Sequence, residues 1–172
     1  DLAFFVEPND AFIIMSEFQR IRNGKAEFRN VILLDQNDHV IQSVSYGQKV
    51  KLRMIIEVFE DIDNLLYGYH IRDKNGVDVI YSDSYIAESE QLLLLKKGDK
   101  ILIDWSFTVR LASGRYSILS VISIPKDLSI GQVEFCDLIP ISIQFEVSPR
   151  EPSPLYGLVN WDNDVKVSRL FK

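Results

Sequence analysis

The chain has 172 residues, 47% of them hydrophobic and 26% charged, so its length suits about one domain and its composition suits a sizeable core. Its 19 Lys and Arg and 25 Asp and Glu residues give a net charge of −6. That balance argues against nucleic acid or an anionic membrane surface as the main partner. Cys136 is the only cysteine, which excludes an intrachain disulfide and is typical of a reducing compartment.

The sequence starts at Asp1 without a methionine, and no signal-peptide pattern follows. Its apolar runs, such as Leu92–Leu95, are far too short to cross a bilayer. We therefore expect this sequence to be part of a longer polypeptide, whose other parts could carry further chemistry.

Residues 1–22 are predicted to be an N-terminal linker or edge segment. Within it, the stretch Ala11–Arg22 fits two structures. Ile14, Phe18 and Ile21 have the spacing of a helical stripe, but the same residues fit a short edge strand. The pattern leaves both alternatives open.

Residues 23–147 alternate between apolar and polar side chains, which indicates β-strands with one face towards a core. The clearest case is Ile101–Arg110, where Trp105 and its alternate neighbours are expected to point inward. Asn75-Gly76 between two apolar runs is the strongest hairpin signal. Many short strands separated by turns predict an all-β fold, an antiparallel β-sandwich of immunoglobulin-like or jelly-roll form.

Residues 148–154 hold three of the six prolines and are predicted to be a stiff connector. Residues 155–172 then supply one more strand-like run, Leu155–Trp161, and a tail. Because a lone strand must join a sheet edge, this strand pairs either within its own chain or with a second protomer. Exchange of the last strand in a dimer therefore remains one of two alternatives.

Sequence signatures of catalysis are missing. There is no phosphate-binding loop, dinucleotide fingerprint or nucleophile elbow. His39 and His70 lack partners at metal-ligand spacing, and Cys136 is expected to be a buried, inert thiol. We therefore expect no enzyme activity, no cofactor and no metal site in this sequence.

A binding face is the remaining hypothesis. In the strand Leu65–Arg72, Tyr69 and Ile71 are predicted to face the core, so that Gly68, His70 and Arg72 face outward. Guanidinium and amide groups pair with sugar hydroxyls, aromatic rings stack on sugar C–H faces, and Arg72 or Arg110 could equally hold an acidic sugar. The candidate ligand-binding residues are His70, Arg72, Tyr67, Tyr81, Tyr85 and Gln144.

Two alternatives compete with a sugar site. A protein-interaction sandwich would present an apolar outer patch, for which Leu119 and Val121 are candidates. A carbohydrate-active enzyme would need two carboxylates about 5–10 Å apart on one face, and no pair in the sequence demands this arrangement.

Six segments in order resemble the C-terminal domain of the ATP-binding subunit of O-antigen polysaccharide ABC exporters of the Wzt type. They are Phe28–Asp35, Tyr46–Leu52, Tyr67–Gly76, Leu111–Ile118, Ile143–Val147 and Tyr156–Val159. The resemblance extends from about Asn23 to Trp161.

This resemblance implies a non-catalytic β-sandwich attached to an upstream ATPase domain. It implies recognition of the modified non-reducing end of a finished O-antigen polysaccharide, at the cytoplasmic face of the bacterial inner membrane. The implied partners are that polysaccharide, a second copy of the chain with the last strand exchanged, and a transmembrane exporter subunit reached through the ATPase domain, with no nucleic acid. No fixed binding motif carries over, so the candidate residues depend on the strand-facing argument alone.

Overall fold

The structure is a computed structural model that describes residues 17–170, and ten β-strands and one short 3-10 turn lie within this range. The strands are β1 (Ile21–Arg22), β2 (Ala26–Leu34), β3 (Ser43–Val44), β4 (Lys49–Val58), β5 (Ile62–Arg72), β6 (Asp78–Asp83), β7 (Leu92–Leu95), β8 (Lys100–Thr108), β9 (Gly114–Asp127) and β10 (Gln132–Val147). The 3-10 turn, Leu128–Ile130, lies between β9 and β10.

The strands form two sheets. The larger has the order β1-β10-β9-β5-β6, with β3 added beside β10 and β7 beside β5, and the smaller has the order β2-β4-β8. All pairings are antiparallel except the short contact between β3 and β10. The predicted all-β, antiparallel sandwich is confirmed.

The core lies between the sheets, where alternate apolar residues of each strand meet. In β4, Leu52, Met54 and Ile56 are fully buried, as the period-two pattern predicts. Trp105 of β8 packs edge-on against Tyr67 and Tyr69, with ring centroids 5.6 and 5.1 Å apart. The predicted inward direction of Trp105 is therefore observed.

The long hairpin of β9 and β10 contains a wide bulge. Between the pairs Ile139–Ser120 and Ile143–Ile118, β10 advances four residues while β9 advances two. Pro140 lies in this bulge, where it need not donate to the ladder, and Ser142 Oγ donates to the Ile118 carbonyl at 2.8 Å. Because the insertion is an even number of residues, β10 keeps the same faces on both sides of it.

The N-terminal stretch ends in an edge strand. Ile21 pairs with Leu138, so β1 borders the larger sheet beside β10. The edge-strand alternative therefore applies to residues 21–22, whereas residues 1–16, which include the first half of the ambiguous stretch, lie outside the described residues.

The predicted last strand, Leu155–Trp161, is not a strand within this single chain. Val159 forms an isolated bridge with Leu111, supported by hydrogen bonds from Ala112 N to Leu158 O (2.9 Å) and from Asn160 N to Arg110 O (2.8 Å). Residues 160–170 then continue without regular secondary structure. Within this single chain the pairing of the segment is confined to one bridge, so pairing with a second protomer stays a prediction.

Candidate functional site

Four polar side chains form one row across the outer face of the larger sheet. Asp78 of β6 pairs with Arg72 of β5, which pairs with Ser117 of β9, which pairs with Gln144 of β10. Directly opposed residues of antiparallel strands point to the same face. We call this set the polar row, and it brings together two predicted site residues, Arg72 and Gln144, that lie far apart in sequence.

Asp78 positions the basic side chains at one end of the polar row. Its Oδ1 accepts a hydrogen bond from Arg72 Nε at 2.7 Å, and its Oδ2 lies 3.2 Å from His70 Nδ1 in a geometry that is not a hydrogen bond. Partial burial raises the pKa of Asp78, but the Arg72 hydrogen bond and the neighbouring His70 outweigh it, and the pKa lies below its usual value. Within residues 17–170, the two Nη atoms of Arg72 make no hydrogen bond and can face a ligand.

Next to the polar row, His70 and Tyr81 pair across β5 and β6. Their rings meet edge-to-face with centroids 4.7 Å apart, and Tyr81 remains 48% exposed. The Tyr81 hydroxyl donates to the Asp83 carboxylate. Burial and that carboxylate raise the pKa of Tyr81 to about 12, so its phenol stays protonated and its ring offers an apolar surface to solvent.

Tyr67 does not belong to this face. It is 6% exposed, and its hydroxyl donates to the Glu90 carbonyl at 2.6 Å. Because residues alternate along β5, Tyr67 points to the core together with Tyr69 and away from His70. A surface contact with a ligand was therefore the wrong expectation for Tyr67.

Tyr85 lies in the turn that follows β6 and is 43% exposed. Its backbone N donates to Asp83 Oδ1 at 2.9 Å, so Asp83 links this turn to Tyr81. Tyr85 is thus a neighbour of the face through Asp83, and its ring makes no aromatic contact with His70 or Tyr81 in the described part of the chain.

Gly68 allows β5 and β6 to pack closely. A Cβ atom at this position would lie 2.8 Å from the Ser82 carbonyl oxygen and 3.1 Å from Asp83 Cβ. The sequence predicted a close approach by a ligand or by another backbone, and the structure assigns that approach to the backbone of β6.

The polar row ends at Gln144 in an open cavity of about 540 Å³. Arg115, Glu146 and Lys74 line it together with Gln144 and Ser117. Sequence reasoning missed Asp78, Ser117, Arg115 and Lys74 as neighbours of the candidate residues. The outward alternation of each strand was a usable signal, but only the register between β5, β9 and β10 shows which outward residues meet.

A second cavity of about 430 Å³ lies on the smaller sheet, lined by Lys51, Asp35 and residues of β8. Two of its three charged groups are already engaged, since Lys51 Nζ donates to Asp38 at 2.6 Å and Asp35 Oδ1 accepts from the backbone of Asn37 at 2.8 Å. The cavity beside Gln144 is therefore the better candidate for ligand binding.

Two features are absent from residues 17–170. No group of three or more His, Cys, Asp or Glu side chains among them is placed to hold a metal ion. No helix in this part of the chain has the length and apolar character to cross a membrane. Cys136 is fully buried, and burial raises the pKa of its thiol to about 11.

Comparison with known proteins gives a family and a fold. A family model described as the Wzt C-terminal domain matches residues 17–161. The crystal structure of the C-terminal domain of Wzt superposes with a TM-score of 0.75 at 19% identity, over 87% of each chain. A Niemann-Pick type C2 protein from the Japanese carpenter ant superposes with a TM-score of 0.51 at 14% identity, over 72% of this chain and 93% of that one.

No curated protein matches the sequence. The two superpositions establish the fold alone, because both identities are low. The family match covers most of the chain and agrees with the resemblance noted from the sequence. The chain therefore belongs to the Wzt C-terminal domain family.

Proposed function

We propose that this domain is a non-catalytic glycan-binding module that recognises the modified non-reducing end of an O-antigen polysaccharide for export by an ABC transporter. Membership of the Wzt C-terminal domain family supports this proposal. The single observation that carries it is the polar row, which leaves donors and acceptors unpaired beside an exposed ring. Such a surface suits a ligand rich in hydroxyl groups.

Arg72 is the central residue of this proposal. Its Nε is held by Asp78 at 2.7 Å, which fixes the guanidinium plane and leaves both Nη groups to donate to neighbouring hydroxyls of a sugar. Preorganisation of this kind reduces the side-chain entropy lost on binding.

Tyr81 and His70 supply the apolar part of the site. The exposed Tyr81 ring can stack on the C–H face of a sugar, and the edge-on contact with His70 restricts its motion. Gln144 adds an amide two strands from Arg72, where it can donate and accept. Each contact competes with water, so we expect weak affinity for a single sugar.

The outer face favours this function over a protein-interaction sandwich. Leu119, which pairs with His70, is 5% exposed, and Val121 is half-buried. The apolar patch that the alternative needs is therefore largely covered at these two positions.

We further propose that the chain forms a homodimer in which the last segment pairs with the partner. Exposed apolar side chains in residues 155–170 support this, since Tyr156 is 95% and Trp161 81% exposed. A partner sheet edge would bury them and complete the pairing that one bridge at Val159 only begins. Two binding sites per dimer would raise the effective affinity for a membrane-held glycan.

In the same proposal, an upstream ATPase domain connects this module to a transmembrane exporter subunit. The site then lies on the cytoplasmic side of the bacterial inner membrane, where a finished lipid-linked polysaccharide is presented. This module contributes recognition and no chemistry.

The test is calorimetry or pull-down with intact and end-trimmed O-polysaccharide from the source strain. We expect the intact glycan to bind and the trimmed glycan to bind at least about tenfold more weakly. Arg72→Ala, His70→Ala and Gln144→Ala should each weaken binding without loss of fold. Arg29→Ala is the matched control, because Arg29 is an exposed arginine of the smaller sheet that pairs with Glu57. Equal binding of both glycans would refute end recognition, and failure of the wild-type chain to bind would refute the function.

A further inference from the structure

Arg115 and Glu146 face each other across β9 and β10 without forming an ion pair. They are directly opposed in the register of the two strands, and both are exposed. Opposed charges at such positions ordinarily attract each other. Within residues 17–170, however, neither side chain makes an ion pair or a hydrogen bond. The guanidinium and the carboxylate therefore both remain available to a third group in the cavity beside them.

Asp73 and Lys74, which also line the cavity, add a second carboxylate and a second cation. Asp73 is fixed in its turn, because its Oδ1 accepts from the backbone N atoms of Asn75 (2.9 Å) and Val77 (3.0 Å). Lys74 is exposed and makes no ion pair within the described residues. The two cations, Lys74 and Arg115, are thus matched by the two carboxylates, Asp73 and Glu146.

The cavity also offers neutral groups. The Gln144 amide and the Ser117 hydroxyl line it and make no side-chain hydrogen bond in the described part of the chain, and half-buried Ile141 adds an apolar surface. Donors and acceptors therefore both line a space of about 540 Å³, which is within the usual range of ligand pockets.

We propose that this cavity is a subsite for an uncharged, hydroxyl-rich sugar unit of the glycan, and that Glu146 excludes sugars carrying a carboxylate or a phosphate. The inference rests on the proposed glycan-binding function and specifies the ligand class at the Gln144 end of the polar row. Arg72 and Tyr81 then contact a neighbouring part of the same glycan.

A neutral sugar fits this cavity because the cavity offers a donor group, Arg115, beside an acceptor group, Glu146. Arg115 can donate to two hydroxyl oxygens of a sugar while Glu146 accepts from hydroxyl hydrogens of the same ring. A carboxylate or phosphate in this place could bind Arg115 but would face Glu146 without a compensating proton. Like charges at contact distance are repulsive, and water excluded by the ligand would strengthen the repulsion.

The experiment is an NMR titration of the full ¹⁵N-labelled chain. The neutral probes are the methyl pyranosides of mannose, glucose, galactose and rhamnose, and the charged probes are glucuronate and inorganic phosphate. At about 100 mM, a site of millimolar affinity is occupied. We expect at least one neutral glycoside to shift the amide signals of Arg115, Gln144 and Glu146, and neither charged probe to do so.

Variants separate the two roles. Arg115→Ala should weaken the neutral glycoside by about tenfold, and Glu146→Gln should let glucuronate or phosphate bind at least about tenfold more tightly than in the wild type. Lys97→Ala, which removes an exposed cation outside the cavity, should leave all titrations unchanged, and circular dichroism checks that each variant is folded.

The outcomes distinguish this inference from the proposed function. A shift of the Arg115, Gln144 and Glu146 amide signals of the wild type with a charged probe, or no shift with any neutral glycoside, overturns the inference. The inference is also overturned if Arg72→Ala weakens binding of the intact polysaccharide while Arg115→Ala and Glu146→Gln leave that binding unchanged. In that case the proposed function still stands. Loss of polysaccharide binding by the wild-type chain overturns the proposed function itself.

Discussion

Arg20 and Asp137, 117 positions apart in sequence, form a buried bidentate ion pair. Arg20 Nε lies 2.9 Å from Oδ1 and Nη2 lies 2.6 Å from Oδ2 of Asp137. The side chains are 4% and 0% exposed. Asp137 also accepts from Phe28 N at 2.9 Å, so this one carboxylate connects the N-terminal segment and both sheets. Asp137 is first among the groups that raise the pKa of Arg20.

Arg20→Ala is expected to lower the free energy of unfolding by about 3–5 kcal/mol, because the buried Asp137 carboxylate would lose its counter-charge. Urea unfolding followed by circular dichroism measures this. Arg22→Ala is the control, since Arg22 is 41% exposed and pairs with the exposed Glu17. Its expected loss is below about 1 kcal/mol. Similar losses in the two variants would contradict the structural role of the buried pair.

Gly68→Ala should destabilise the domain by about 1–3 kcal/mol, because the added methyl group would collide with the backbone of β6. The nearest atom, the Ser82 carbonyl oxygen, lies 2.8 Å from the Cβ position. Gly157→Ala is the control, since its closest neighbour, the Val159 carbonyl oxygen, is 3.8 Å away. Thermal melts measure the difference. An equal decrease of the melting temperature in the two variants would contradict this close approach.

The free energy of unfolding is expected to decrease as the pH rises from about 9 to 11. Burial raises the pKa of Cys136 from its ordinary 9.0 to about 11, so the folded state keeps a proton that the unfolded state loses in this range. The contribution of Cys136 to the free energy of unfolding is fully present below the unfolded-state pKa. Above that pKa it falls by at most about 1.4 kcal/mol per pH unit. Cys136→Ala should remove it.

Urea unfolding at about pH 8 and pH 10 compares the wild type with Cys136→Ala over this range. Tyr69 and Tyr81, whose pKa values are raised to about 12 from an ordinary 10.0, add to the pH slope near the upper pH, but they do so equally in both proteins. An equal pH slope in both proteins would mean that Cys136 does not carry the effect.

Truncation after Ser148 should convert the proposed dimer into a monomer, as measured by sedimentation. Val165→Asp and Val167→Asp in the intact chain should also weaken the dimer. These valine side chains are 84% and 85% exposed, and the proposed partner would cover them. Lys166→Ala, which changes the exposed residue between the two valines, serves as control. A truncated chain that still sediments as a dimer would refute the exchange.

Alternation along single strands was enough to predict which residues of β4, β5 and β8 face the core. That inference worked because the facing of a strand is a local property with a period of two. The same alternation places Tyr67 on the core side with Tyr69, so the choice of Tyr67 as a ligand-binding residue departed from the pattern. The binding roles of His70, Arg72, Tyr81, Tyr85 and Gln144 remain predictions.

The sequence by itself determined the all-β class, the directions of His70, Arg72 and Gln144, and the buried state of Cys136, because each follows from residue type and strand period. Only the tertiary structure decided that Arg72, Ser117 and Gln144 share a row, that Arg115 faces Glu146, and that Arg20 meets Asp137. These contacts depend on the register of strands distant in sequence, and a one-residue change in register would give different neighbours.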